Sequence, residues 1–330
     1  MIQNSCVYLT RRCPRKCSYC ALRDAKDVGQ ELTISQWRKA FKILEKMGIE
    51  FNLILGNETW VLGEGLIDLL WDTKIKYALY TTCPPELFKK HRDKFFRSGA
   101  INNLSCGVDY PSNALEIDDD SWKKSQDAWK GFEWLKKNYP KVDNQPTITL
   151  HRRNYRYLPE IVREATEKNL FVAFNPIHWD KDGKYDFFPS KERISDLIFQ
   201  PQQYKELENI LLKIKDNPGL LQLGDYIDFL LEDMERIQMG WHCGGDPYGG
   251  PTIDSDGSLR LCGYRKGTRT PKFSIFDLPE KEQEWREAIR QDAEECPGCG
   301  WVYPWSANFW DKQEKERKVF IHRVDDNPIE

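Results

Sequence analysis

The stretch Val7-Tyr8-Leu9-Thr10-Arg11-Arg12-Cys13-Pro14-Arg15-Lys16-Cys17-Ser18-Tyr19-Cys20 decides how this chain is read. Its first four residues read as a short β-strand, and a loop with three cysteines, three and two residues apart, follows at once. The loop leaving the C-terminal end of a strand is where α/β proteins build their sites. Three thiolates from one short loop suit an iron–sulfur cubane that keeps one iron without a protein ligand, an open position for a substrate or cofactor. Arg15 and Lys16 between the ligands help stabilise thiolates. The plainer alternative is three quarters of a structural zinc site. Its fourth ligand is not nearby in sequence, because the next cysteine is Cys83.

Outward from this loop, strands and helices alternate. The periodicity predicts strands at Val7–Thr10, Phe51–Leu55, Tyr77–Thr81, Leu104–Val108, Thr147–Leu150 and Phe171–Asn175, with helices at Ser35–Met47, Glu64–Trp71, Pro85–Arg97, Ser121–Lys137 and Leu158–Lys168. Six strands separated by helices imply parallel βαβ units with right-handed crossovers, an α/β fold. Six units are too few for a closed eight-stranded barrel, so a partial (β/α)6, TIM-like barrel or a doubly wound sheet is expected. After Pro176 come a polar loop at Asp180–Tyr185 and helical stretches at Gln203–Lys215 and Tyr226–Ile237. From Gly240 the chain is rich in Gly, Cys and Pro, and Pro251–Leu261 reads as a hairpin turning at Asp256-Gly257. The expected organisation is a barrel over 1–180, a helical linker or cap over 181–235, and a small α+β unit with a tail over 236–330. Trp305, Phe309 and Trp310 in that tail are expected to cover the neighbouring unit.

Composition narrows the function. In 330 residues, 49 Lys and Arg against 52 Asp and Glu leave a net charge of −3, so no basic field draws the chain to nucleic acid. No apolar run approaches the roughly twenty residues of a membrane helix, and the N-terminus has no secretory signal, so no membrane partner and a cytoplasmic location are expected. Ten cysteines without an export signal point to metal or redox chemistry.

The cysteine loop resembles that of the radical S-adenosylmethionine (radical SAM) enzymes, which carry this spacing after the first strand of a six-unit partial barrel. An aromatic residue precedes the third cysteine, here Tyr19, and the resemblance places it against the adenine. Gly56-Asn57-Glu58-Thr59 after the second strand looks like a variant of the family's Gly-Gly-Glu-Pro loop, which holds the methionine amino group; two of its four positions depart from that pattern. On the fourth strand Ser105, Gly107 and Asp109 share one face by the two-residue period, where the family contacts ribose and carboxylate. Family members often carry Ser where this chain has Gly107. Asn154 and Asn175 follow or end later strands and are candidates to line the cavity.

Four further cysteines, Cys243, Cys262, Cys296 and Cys299, lie in the C-terminal segment. The Cys296–Cys299 spacing lets both sulfurs reach one centre, and the hairpin brings Cys243 and Cys262 together at its base. Four cysteines also suit zinc. Gly257 followed by Cys262 resembles the auxiliary-cluster extensions named twitch and SPASM, twitch being the closer match because the further cysteines of a SPASM domain are absent. Of the remaining cysteines, Cys6 and Cys106 read as buried small hydrophobes, and Cys83 is a candidate hydrogen donor facing the cavity. His151, Arg152, Arg153, His178, Trp241 and His242 are candidates to hold substrate or accept a proton, Arg152 and His178 chief among them. The pairs Lys89-Lys90, Lys123-Lys124 and Lys136-Lys137 read as solvated helix faces.

The resemblance implies two [4Fe–4S] clusters and S-adenosylmethionine, cleaved reductively at the cluster of Cys13, Cys17 and Cys20 to give a 5′-deoxyadenosyl radical that takes a hydrogen atom from substrate. An external one-electron reductant such as flavodoxin or ferredoxin is implied as partner, and the second cluster is expected to pass electrons. The closest pattern is that of twitch-domain dehydrogenases, which favours an oxidoreductase acting on a small molecule or nucleotide-sugar. A peptide-modifying maturase forming a crosslink or an epimer is the alternative, against which the twelve residues before Cys13 count because such enzymes often carry an N-terminal peptide-recognition domain. A zinc-ribbon binding module without catalysis is the third reading.

Overall fold

In the computed structural model, which describes residues 4–20, 30–55, 58–82, 90, 96, 99–180, 188–220, 224–239 and 250–299, the alternation becomes six parallel strands. They are β1 (Asn4–Tyr8), β2 (Phe51–Leu55), β3 (Lys76–Thr81), β4 (Ile101–Gly107), β5 (Asp143–Leu150) and β6 (Ala173–Pro176). They lie side by side in chain order. A doubly wound sheet reverses direction at a switch point. This one does not, so right-handed crossovers put their helices on the same face, as in a partial (β/α)6 barrel.

The two-residue period sorts the strand side chains. Val7, Ile54, Leu79, Leu104, Ile148 and Phe174 point outward into one core with Trp37, Phe41 and Leu44 of α1 (Ile34–Lys46). Cys6, Tyr8 and Leu55 point to the opposite face, with Tyr80 packed against them. Helix α1 starts at a capping box in which Thr33 and Gln36 satisfy each other's backbone N–H. The other crossover helices are α2 (Glu64–Trp71), α3 (Asp120–Asn138) and α4 (Leu158–Glu167). Asp119 caps α3 and Lys136 and Lys137 sit in its last turn, matching the helix dipole. The helix expected over 85–97 falls mostly outside the described residues. Strand β6 begins two residues later than expected, after Phe171, which is exposed.

Helices α5 (Tyr204–Ile214), α6 (Gly224–Leu231) and α7 (Arg236–Met239) follow. The expected hairpin forms as β7 (Thr252–Ile253) and β8 (Leu259–Arg260), with Gly257 at φ +87° in its turn, a conformation that L side chains rarely adopt. Strand β7 also pairs in parallel with β1, Cys6 opposite Thr252 and Val7 opposite Ile253, which extends the sheet to eight strands. Helix α8 (Leu278–Glu294) ends beside Cys296. Its buried Asp292 accepts the backbone N–H groups of Thr268, Arg269 and Thr270, clamping the preceding loop onto the helix. Among the described residues no helix is long and apolar enough to cross a membrane.

Candidate functional site

A cavity of about 270 Å³ opens at the C-terminal ends of the strands. Cys13, Cys17, Tyr19 and Cys20 from the loop after β1 form one side; Tyr8, Leu55, Tyr80, Gly107, Thr147 and Thr149 form the strand wall; Asn175 and His178 stand at the end of β6; Phe188 and Tyr264 close the far side. The structure therefore gathers the three N-terminal cysteines with Tyr19, Asn175 and His178.

Burial pushes the Cys13 thiol up to about 11, against a hydrogen bond from the Arg15 N–H, and the Cys17 thiol up to about 12, against the Lys124 ammonium. Both are neutral thiols at pH 7, so taking up a metal must expel protons. Among the described residues no three His, Cys, Asp or Glu side chains converge closely enough to hold a single metal ion. Cys13, Cys17 and Cys20 line one cavity from a single loop, a donor set that fits a cluster in which each sulfur takes a different iron.

Asp109 is fully buried just beyond β4. Its carboxylate accepts from the Tyr19 hydroxyl at 2.7 Å, the Thr149 N–H at 2.9 Å and the Lys124 Nζ at 2.8 Å. Lys124 also donates to the Tyr19 hydroxyl. This corrects the reading of Lys123-Lys124 as a solvated pair: Lys123 is exposed, but only 7% of Lys124 is. Gly107 is the reason, because a Cβ there would overlap the Lys124 Nζ and lie 2.8 Å from its Cε. Burial alone would weaken the ammonium; Asp109 reverses this and raises its pKa.

Glu58 is buried between β2 and β3 and accepts from the Thr82 N–H at 2.7 Å, the Thr81 hydroxyl at 3.0 Å, the Thr82 hydroxyl and the Trp60 N–H at 3.4 Å. Burial raises its pKa against these donors. Its neighbour Thr59 is buried, with a hydroxyl that has no partner among the described residues. Gly56, Asn57, Cys83, Trp241, His242 and Cys243 lie outside the described residues.

Ser105 is buried below the cavity, its hydroxyl 2.7 Å from that of Thr147. Asn154 accepts from the His151 N–H and donates to the Thr149 carbonyl, both at 2.8 Å, and so shapes the turn after β5. Arg152 is exposed and does not line the cavity, and Arg153 pairs with Asp196. His151 is buried with its ring 5.9 Å from that of Tyr19, and burial pushes its pKa down to about 4.

Cys262, Cys296 and Cys299 pack in one cluster with Phe188 and Tyr264. The Phe188 and Tyr264 rings stack at 6.1 Å and 13°, and the Tyr264 N–H donates to the Cys262 Sγ at 3.4 Å. One aromatic pair thus touches both the cavity and the second cysteine group. The Tyr8 hydroxyl donates to the Gly263 carbonyl, tying the barrel interior to this segment. Sequence reasoning missed Lys124, Phe188 and Tyr264. Only Tyr264 left a signal, standing two residues after a ligand candidate.

Residues 7–165 match the Radical SAM superfamily. No curated protein matches the chain. Among solved structures, SuiB of Streptococcus suis bound to its precursor peptide SuiA superposes with a TM-score of 0.58 at 13% identity, covering 88% of this chain and 67% of that one. SuiB bound to S-adenosylmethionine gives 0.55 at 14%, over 78% of this chain, which spans 60% of the SuiB chain. Native anSMEcpe with bound AdoMet and Cp18Cys peptide gives 0.56 at 18%, covering 93% and 95%. At these identities the structural likeness concerns the fold. The superfamily match covers the cysteine loop, the strands behind it and Lys124, and residues 7–165 belong to the radical SAM superfamily.

Proposed function

We propose that this chain is a radical SAM enzyme that cleaves S-adenosylmethionine reductively and abstracts a hydrogen atom from a small molecule or a peptide. The observation that carries this reading is the convergence of Cys13, Cys17 and Cys20 on a cavity at the strand ends. Cys13, Cys17 and Cys20 would hold a [4Fe–4S] cluster there, which would supply the one electron that reductive cleavage needs. The protein supplies the rest. Glu58, anchored on Thr81 and Thr82, would support the methionine end, Tyr19, held by Asp109, would face the ribose and adenine side, and Asn175 lines the opposite wall. His178, buried at the cavity, is the candidate to take a substrate proton, and Cys83 the candidate hydrogen donor.

A second cluster at Cys243, Cys262, Cys296 and Cys299, in a twitch-like extension, is supported by the packing of the three described cysteines against Tyr264. With all four ligands from protein it would pass electrons, which suits an oxidoreductase. The peptide reading draws on SuiB and anSMEcpe, both solved with a peptide bound. A soluble one-electron donor such as flavodoxin or ferredoxin and a cytoplasmic setting complete the proposal.

Anaerobic purification tests it. About eight iron atoms per chain, as two cubanes require, with release of 5′-deoxyadenosine on reduction, are expected; zinc alone and no cleavage would leave a binding module. Turnover of small polyols against candidate peptides then separates the two substrate classes.

A further inference from the structure

Lys124 sits where an exposed lysine of α3 would not. Its side chain lies against the bare backbone of Gly107, and its ammonium reaches Asp109 at 2.8 Å and the hydroxyl of Tyr19. Tyr19 stands between two of the cysteines, and Lys124 lines the same cavity as all three. Among the described residues on that lining, Arg15 is also a cation but is drawn to Asp127.

A fixed charge buried beside a metal cluster acts through a low effective dielectric, and charge and hydrogen bonding near the sulfurs are main determinants of cluster potential. We propose that Lys124, admitted by Gly107 and oriented by Asp109, is a positioning residue that holds the Cys17–Cys20 loop through Tyr19 and raises the reduction potential of the N-terminal cluster. The couple is the one-electron step from [4Fe–4S]2+ to [4Fe–4S]1+, its electron coming from an external reductant. Added negative charge on the cluster is stabilised by the ammonium and opposed by the carboxylate, so the two side chains should shift the potential in opposite directions. This inference rests on the radical SAM reading above.

The test is an anaerobic potentiometric titration of the holoenzyme with dithionite, followed by EPR on the signal that changes when S-adenosylmethionine is added. Lys124→Met should lower the reduced-to-oxidised ratio at a fixed potential about tenfold, a shift of about 59 mV for a one-electron couple. Asp109→Asn should move it the other way, and Lys124→Arg should stay close to the native value. Gly107→Ala keeps the lysine but displaces its ammonium, and should shift in the direction of Lys124→Met even if that variant loses its cluster. An unshifted midpoint in both Lys124→Met and Gly107→Ala, or in Gly107→Ala alone if the other variant holds no iron, overturns the inference. Absence of any S-adenosylmethionine-responsive signal in the native protein overturns the function instead.

Discussion

Arg11 and Asp254 are 243 positions apart in the chain, yet the Arg11 Nε donates to the Asp254 Oδ1 at 2.9 Å. Asp254 also takes the Arg260 Nη1 at 2.6 Å, and Arg260 is wholly buried. Burial alone would raise the Asp254 carboxyl; Arg260 and then Arg11 overcome it and hold it well below the usual carboxylate range. One carboxylate therefore joins the start of the cysteine loop to the hairpin that leads into Cys262.

Asp254→Ala should destabilise the protein by about 3 kcal/mol, because it leaves a buried guanidinium uncompensated. Arg11→Gln, which removes a partly exposed partner, should cost about 1 kcal/mol. Anaerobic denaturant titration reads both, and equal small losses would show that Asp254 does not organise the junction.

Glu58→Gln should weaken S-adenosylmethionine binding and cost about 1–3 kcal/mol of stability. The amide has one acceptor oxygen where the carboxylate offers two, so either the Thr82 N–H or the Trp60 N–H loses its partner. Equilibrium dialysis with S-adenosylmethionine, beside a melting curve, measures the two effects; native affinity in the variant would remove Glu58 from the loop's support.

His151 makes stability depend on pH. An unfolded histidine protonates near 6.5, whereas His151 does so near 4, with Asp109 and Asp119 opposing the burial and Arg153 and Lys124 reinforcing it. Between those values the unfolded chain binds more protons, so this stability is fully present above about pH 6.5 and falls as the pH drops towards 4. About 1 kcal/mol should be lost between pH 7.5 and 5.5, and His151→Gln should flatten that slope in anaerobic urea titrations. An identical slope in the variant would place the protonation elsewhere.

Cys17→Ala should abolish 5′-deoxyadenosine release, whereas Cys299→Ala should leave cleavage detectable and uncouple it from product. Chromatography of both species in single-turnover mixtures compares them. Undiminished product from Cys299→Ala would defeat the electron-passing role of the second cysteine group.

Much of this architecture is legible along the chain. The alternation of residues such as Val7 and Tyr8 between two faces, the three-cysteine loop at the end of β1 and the Asp256-Gly257 turn are local patterns, set by the two-residue strand period and by a backbone angle suited to glycine. The convergence of Asn175 and His178 with the cysteines follows from their places at strand ends. Lys124 was misread because a lysine on a helix is ordinarily solvated, and the space that admits it is made by a glycine on another element.

By itself the sequence determined the α/β class, the order of the strands and the place of the three-cysteine loop after β1, because periodicity and cysteine spacing act over a few residues. Only the tertiary structure decided that the sheet winds in one direction, that β7 pairs with β1, that Tyr264 walls the cavity and that Asp109 and Lys124 meet under the cysteine loop. Those outcomes come from packing and charge pairing between segments up to hundreds of residues apart, and no local pattern encodes which distant partners will share a buried space.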